Sequence, residues 1–206
     1  MSNSRESLNA TFRSMINTGY NNYNNFDNLL QDIKIVQHNV RWWTTDRAIE
    51  LSNYYRLENP DIILLNSTSI NDDQKIKIHN YNVTQKNMLG EGSAGIAIAV
   101  RKNIKYKLLD DFQDDILGVE LRTTKGPIII MTNYSPPRRN YVPFAEIENI
   151  LQKQMPVYFA GDINANIPAM GYATYNHTGR IVRDMIIRDK IKLMGPEFRT
   201  LIQRNG

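Results

Sequence analysis

Cysteine is absent from the 206 residues, which excludes disulfides, thiolate metal sites and a thiol nucleophile. No apolar run is long enough to cross a bilayer. Met1 to Asp32 lack the apolar core of a secretion signal, so an intracellular location is the default expectation. Asn-x-Ser/Thr matches occur, those beginning at Asn9, Asn66, Asn82 and Asn176 among them, and without a secretion signal they are read as chance. No serine sits in a nucleophile elbow. Internal repeats and an interdomain linker are also missing. The chain is 41% hydrophobic and 22% charged, ordinary values for a globular protein. Its length suffices for one domain with its own core.

Net charge is +4, with 25 Lys+Arg against 21 Asp+Glu. From Gly179 to Gly206 there are seven basic residues (Arg180, Arg183, Arg188, Lys190, Lys192, Arg199, Arg204) against three acidic ones (Asp184, Asp189, Glu197), so this end carries the whole excess. A basic face suits a polyanion, although from charge alone a solvated helix face explains it better.

Residues 1–32 are rich in Asn and Ser, with scattered Leu8, Phe12, Met15 and Ile16. They read as a mobile arm with one short helix, ahead of a single domain over 33–206. Ile33 to Val40 predicts a strand ending on Asn39. Thr45 or Asp46 caps a helix to about Leu57, which Asn59-Pro60 stops. Asp61 to Thr68 (DIILLNST) predicts a strand buried on both faces, because its apolar residues are consecutive. Strand, helix and strand at this spacing suggest a βαβ unit. Tyr81–Lys86, Gly95–Arg101, Lys105–Leu109, Leu117–Arg122 and Pro127–Tyr134 follow as strands with short turns, which suits antiparallel pairing. Pro143–Lys153 predicts an amphipathic helix with Phe144, Ile147, Ile150 and Leu151 inward. Pro156–Ala160 predicts a buried strand, Gly179–Asp189 a helix with Ile181, Met185 and Ile186 inward, and Ile191–Met194 a short strand. The class is α/β with mixed sheets, a two-sheet sandwich flanked by helices.

Tyr158-Phe159-Ala160-Gly161-Asp162-Ile163-Asn164-Ala165-Asn166 is the stretch around which the chain is organised. Gly161 allows a sharp turn after an apolar strand. Asp162 and Asn164, at i and i+2, share a side if strand geometry persists. A carboxylate and an amide there cost desolvation energy unless a cation, a water or a phosphate uses them. An Asx-type turn, with both side chains bonded to local backbone, is an equal alternative for this motif alone. Gly90-Glu91-Gly92-Ser93-Ala94-Gly95 matches GxGxxG, but it precedes the strand GIAIAVR where a dinucleotide site requires a helix. A loop before a strand accounts for it.

Four strand ends carry polar groups: Asn39, Asn66-Ser67, Tyr134, and Asp162 with Asn164. Polar groups gathered at the ends of buried strands are a usual ligand site. Asn39, Tyr134 and Asn164 are phosphate donors, and Asp162 suits a metal or a water. With no nucleophile available, attack of water on a phosphodiester is the chemistry that fits.

The order QHNVR, DIILLNS, GIAIAVR, NYSPPRR and GDINA resembles the endonuclease/exonuclease/phosphatase superfamily. More narrowly, with YNVTQKN, GPIIIMTNYSPPRRNYVPF and KLMGPEFRT, it resembles the apurinic-type endonuclease domain that opens the polymerase protein of non-LTR retrotransposons. The resemblance covers about Ile33 to Gly206. Each motif alone is weak; five in order are specific. It implies a four-layer α/β sandwich and nicking of DNA, assisted by Mg²⁺ or Mn²⁺, to prime reverse transcription, in the nucleus. It implies that Asn39 helps hold the metal–phosphate site, that Tyr134 contacts the scissile phosphate, and that Asp162 orients or deprotonates the attacking water while serving the metal site. Asn164 then bonds the phosphate as charge builds on it. Arg41, Arg138, Arg139 and Asn166 are the expected nucleic-acid contacts.

Two departures from the family pattern bear on activity. The metal-binding glutamate of LLQET is replaced by Ser67 in Leu64-Leu65-Asn66-Ser67-Thr68, and a hydroxyl is a poorer ligand for Mg²⁺ than a carboxylate. Asp72 and Asp73 lie too far into the loop to substitute for it. The closing strands with their Ser-Asp-His motif are not in this sequence, and His38, His79 and His177 do not match that histidine. The expectation is therefore an incomplete, impaired nuclease that binds its metal weakly and self-associates through an unpaired sheet edge. A non-catalytic nucleic-acid-binding or assembly protein on the same scaffold is the alternative. A small-molecule or lipid phosphatase is a more distant third, to which hydrolysis of a soluble phosphoester would point.

Overall fold

A computed structural model gives the structure over residues 11–13, 32–71, 73–87, 95–109, 112, 115–135, 144–152, 155–188 and 191. In chain order the described elements are β1 (Thr11–Arg13), β2 (Lys34–Asn39), α1 (Thr45–Glu58), β3 (Ile62–Asn66), β4 (Tyr81–Asn87), β5 (Gly95–Arg101), β6 (Tyr106–Leu109), β7 (Ile116–Thr123), β8 (Gly126–Asn133), α2 (Phe144–Leu151), β9 (Val157–Phe159) and α3 (His177–Ile187).

They form two mixed sheets, ordered β1-β2-β3-β5-β4 and β6-β7-β8-β9. The consecutive apolar residues of β3 put it at the centre of the first sheet, buried along its whole length. It pairs parallel with β2, from Ile35↔Ile62 to Asn39↔Asn66, and antiparallel with β5. The β2–α1–β3 segment is the βαβ unit predicted from spacing. In the second sheet β7 and β8 pair antiparallel over eight residues, and β9 runs parallel to β8 from Ile129↔Val157 to Met131↔Phe159.

Alternation along the strands sorts side chains into layers. Ile35, Ile62, Leu64, Ile96 and Ile98 of the first sheet meet Leu117, Val119, Leu121, Ile128 and Ile130 of the second. The opposite face of the first sheet (Val36, Ile63, Leu65, Ala97, Ala99) packs under Leu51 and Tyr55 of α1. The opposite face of the second (Ile116, Ile129, Met131) packs under Ile150 of α2. The order is thus helix, sheet, sheet, helix.

Several local expectations are corrected. The cap of α1 is Thr44, whose hydroxyl accepts from Arg47 N, and neither Thr45 nor Asp46. Asn59 ends that helix in the left-handed region, with φ 46°. The α3 helix starts two residues earlier than predicted because Asn176 caps it by accepting from Gly179 N, and its buried residues include Val182 and Met185 in place of Ile181. The strand β9 is half-buried at a sheet edge, where full burial was expected. In the predicted arm, Thr11–Arg13 pair antiparallel with β2. Arg138, Arg139, Asp72, Gly90 to Ala94 and residues 192–206 lie outside the described residues, and Ile191 is described without strand pairing. No helix among the described residues is long and apolar enough to cross a membrane.

Candidate active site

The carboxyl ends of β2 and β3 meet the carboxyl end of β8 and the turn after β9. Crevices at the carboxyl ends of parallel strands are the preferred ligand sites of α/β sheets. The chain after β9 reaches the crevice because Gly161 lies against β8: a Cβ there would sit 2.3 Å from the carbonyl oxygen of Asn133 and 2.8 Å from its nitrogen. That close approach lets Asp162 N donate to Asn133 O at 3.1 Å and Ser135 N donate to Asp162 O at 2.8 Å. Tyr134 and Asp162 thereby face each other across a single parallel bridge.

Asp162 is the centre of the cluster. Asn39 Nδ2 donates to its Oδ2 at 2.6 Å, and Asn164 N donates to its Oδ1 at 3.2 Å. Desolvation pushes its pKa up from 3.8, opposed by the Asn164 amide, the Asn39 side chain and the positive charge of Arg41. Strand geometry does not persist to Asn164, whose φ is 49°. The Asx-type turn is therefore present at Asp162. The Asn164 side chain is not local, however: its Nδ2 donates to Ser135 O at 2.7 Å. Asn176 Nδ2 holds the Asn164 carbonyl at 2.6 Å, and its Oδ1 accepts from Asn166 N at 3.0 Å. Asn166, predicted to touch nucleic acid, has its backbone built into the start of α3.

The structure thus brings Asn39, Tyr134, Asp162 and Asn164 together, with Arg41 near enough to act on Asp162 electrostatically. Ser67 adjoins them because Asn39 and Asn66 are in register. It sits in the left-handed region, with φ 59°. Among the described residues no three His, Asp or Glu side chains gather closely enough to hold a metal. The donor set for a hard cation is thus one carboxylate, Asp162, supplemented by neutral oxygens of Asn39 and Ser67. Mg²⁺ commonly binds through one or two carboxylates plus substrate phosphate, so this set meets only the lower end of the requirement.

Sequence reasoning missed the support beneath the site. Asn66, expected at a strand end facing ligand, is fully buried. It ties the two sheets: Gln37 Nε2 donates to its Oδ1 at 2.6 Å, and its Nδ2 donates to Thr132 Oγ1 at 2.9 Å and Asn133 O at 2.8 Å. Asn133 Nδ2 continues the chain to Ser135 Oγ at 3.3 Å. The available signal was the run Thr132-Asn133-Tyr134-Ser135, polar residues directly after an apolar strand. His38, read as an ordinary polar residue, is buried beneath α1 with its Nδ1 2.8 Å from the Tyr55 hydroxyl. Burial first, then the Arg47 charge, lowers its pKa from 6.5 to about 4, with Glu50 opposing.

The layered α/β/β/α fold defines a class of protein. The chain belongs to the Endonuclease/Exonuclease/phosphatase family, whose model matches residues 36–183. It is 21% identical over 150 residues to the RNA-directed DNA polymerase from mobile element jockey of Drosophila funebris, which covers 70% of this chain and 16% of that protein. The chain therefore spans a small part of that relative's length. Its fold is similar to the endonuclease domain of TRAS1, a telomere-specific non-LTR retrotransposon: TM-score 0.57, 20% identity, covering 75% of this chain and 70% of that one. It is also similar to the AP endonuclease LMAP from Leishmania major, with TM-score 0.57, 15% identity and coverage of 76% and 65%.

Proposed function

We propose that this chain is an endonuclease domain of a non-LTR retrotransposon, one that nicks target DNA to prime reverse transcription, with hydrolysis impaired in this chain. The observation that carries the reading is the Asp162 carboxylate held between Asn39 and Asn164 at the crevice. In this reading Asp162 orients or deprotonates water, with a pKa raised toward the working range of a general base. Asn164 and Tyr134 bond the phosphate, and Arg41, Arg138, Arg139 and Asn166 hold the strand. Asp162 and Asn39, with Ser67 at the degenerate position, would hold Mg²⁺ or Mn²⁺ weakly. When bound, such a cation supplies Lewis-acid stabilisation of phosphate charge. Acting on DNA, the chain would work in the nucleus, and β9, the edge of its sheet among the described residues, is where copies would associate.

A plasmid-nicking assay with and without Mg²⁺ tests this reading, with Asp162→Ala as control. Slow, Mg²⁺-dependent nicking that Asp162→Ala abolishes supports it. Nicking untouched by Asp162→Ala overturns it. The scarcity of acidic ligands among the described residues favours one second reading, a nucleic-acid-binding or assembly protein without catalysis. Salt-dependent DNA binding with no Mg²⁺-dependent nicking selects that reading.

A further inference from the structure

Trp42 has an environment that neither the core nor the catalytic cluster explains. Its side chain is 65% exposed, whereas Trp is on average highly buried. Its backbone lies at φ 80°, directly after Arg41 at φ 43°. Two consecutive bulky residues in the left-handed region store strain, and such strain persists only where surrounding structure holds it. Here the holder is the end of β3: Trp42 N donates to Ser67 O at 2.9 Å and Trp43 N to Thr68 O at 2.7 Å. The neighbouring ring of Trp43 packs into the core beneath α1, and that of Trp42 does not. The turn therefore fixes an exposed indole three residues beyond Asn39, which itself bonds Asp162.

We infer that Trp42 is a stacking platform for an unpaired nucleobase beside the phosphate-binding cluster. The inference rests on the DNA reading above. Three residues span at most about 11 Å, so the Trp42 backbone lies within that distance of Asn39, the residue that bonds Asp162. Arg41, adjacent in sequence and acting on Asp162, supplies a cation for the intervening backbone. A paired base already has stacking neighbours, so an exposed ring gains most from a base lacking them. The platform selects frayed, bulged or single-stranded DNA.

The experiment compares binding of the whole chain, in low salt without Mg²⁺, to a paired duplex and to the same duplex with one bulged base. The variants are Trp42→Gly, which removes the ring and suits the positive φ, and Trp42→Phe, which keeps an aromatic face. The parent is expected to prefer the bulged duplex by roughly fivefold, the low end of stacking on an aromatic side chain. Trp42→Gly should lose that preference with paired-duplex affinity unchanged, and Trp42→Phe should keep part of it. In a Trp43→Phe background, which leaves Trp42 as the sole tryptophan of two, the bulged duplex should quench emission more than the paired one. Binding of both duplexes with no preference in the parent, or a preference that Trp42→Gly retains, overturns the platform and leaves the DNA reading standing. No binding of either duplex overturns the DNA reading itself.

Discussion

Two titrating side chains, His38 buried and Asp162 half-buried, pull stability in opposite directions with pH. The folded-state pKa of His38 is lowered from 6.5 to about 4, so the unfolded chain binds the extra proton in that window. Its contribution is complete above 6.5 and is lost as pH falls toward about 4. A shift of this size corresponds to on the order of 3 kcal/mol. Asp162 has a raised pKa, so it favours the folded state more as pH falls from the raised value toward 3.8, partly offsetting His38. Urea unfolding across this range should show stability falling with acid in the parent. His38→Gln, which keeps a partner for the Tyr55 hydroxyl, should flatten or reverse that fall; an unchanged slope would remove His38 as its cause. At the same scale, Asn66→Ala strands the amide of Gln37 and deprives Thr132 and Asn133 of their donor. Leaving such groups unsatisfied costs about 2–4 kcal/mol, which a shift in the urea midpoint at constant slope would measure. Asn39 and Asp162 were legible from the sequence because each ends an apolar strand. The roles of Asn66 and His38 were not, because burial at those positions is decided by a second sheet and by a helix whose docking no local pattern states.

At the scale of elements, composition and period carried most of the reading. The βαβ unit, the consecutive apolar runs of β3 and β5 and the short antiparallel turns were each legible, since strand burial writes itself into apolar sequence. Ends and edges were less so. The start of α3 depends on its cap, and a start at Gly179 reads equally well in sequence until Asn176 is seen to accept from Gly179 N. The apolar letters of β9 suggested a core strand, yet the parallel pairing to β8 leaves it at an edge. What joins β9 to the site is the contact of Gly161 with Asn133. Gly161→Ala should therefore push β8 and the Asp162 turn apart, because the obstructing atoms are backbone and cannot swing away. Overpacking of this kind costs about 1–3 kcal/mol. A Gly161→Ala variant with parental thermal stability and unchanged DNA affinity would show that the approach is looser than the geometry implies.

At the scale of the whole molecule, the described residues combine a two-sheet sandwich with a sparse catalytic set. Its layers are those of the Endonuclease/Exonuclease/phosphatase family to which it belongs, and the crevice at the strand ends gathers Asn39, Tyr134, Asp162 and Asn164. Hydrolysis asks for more than their proximity. It needs charge stabilisation at the phosphate, a polarised water and an oriented scissile bond. Asp162 is already bonded by Asn39 and Asn164, and Ser67 at the end of β3 offers a neutral hydroxyl where a hard cation is better served by a charged oxygen. Removing one electrostatic group of this kind costs on the order of 10²–10³ in rate, and groups that act as a unit do not contribute additively. The purified chain should thus nick supercoiled plasmid at least about 100-fold more slowly, at equal Mg²⁺, than a relative with a glutamate at the position of Ser67. Ser67→Glu should raise both Mg²⁺ affinity, read by titration calorimetry, and nicking rate, because it returns a charged oxygen to the end of β3 beside Asn39. Combining Ser67→Glu with Asp162→Ala should abolish the gain while leaving salt-dependent DNA binding in place. Parental nicking as fast as that of the relative, or a Ser67→Glu variant with no change in Mg²⁺ affinity, would mean that a different acid already serves the metal and that Ser67 is not the weak point.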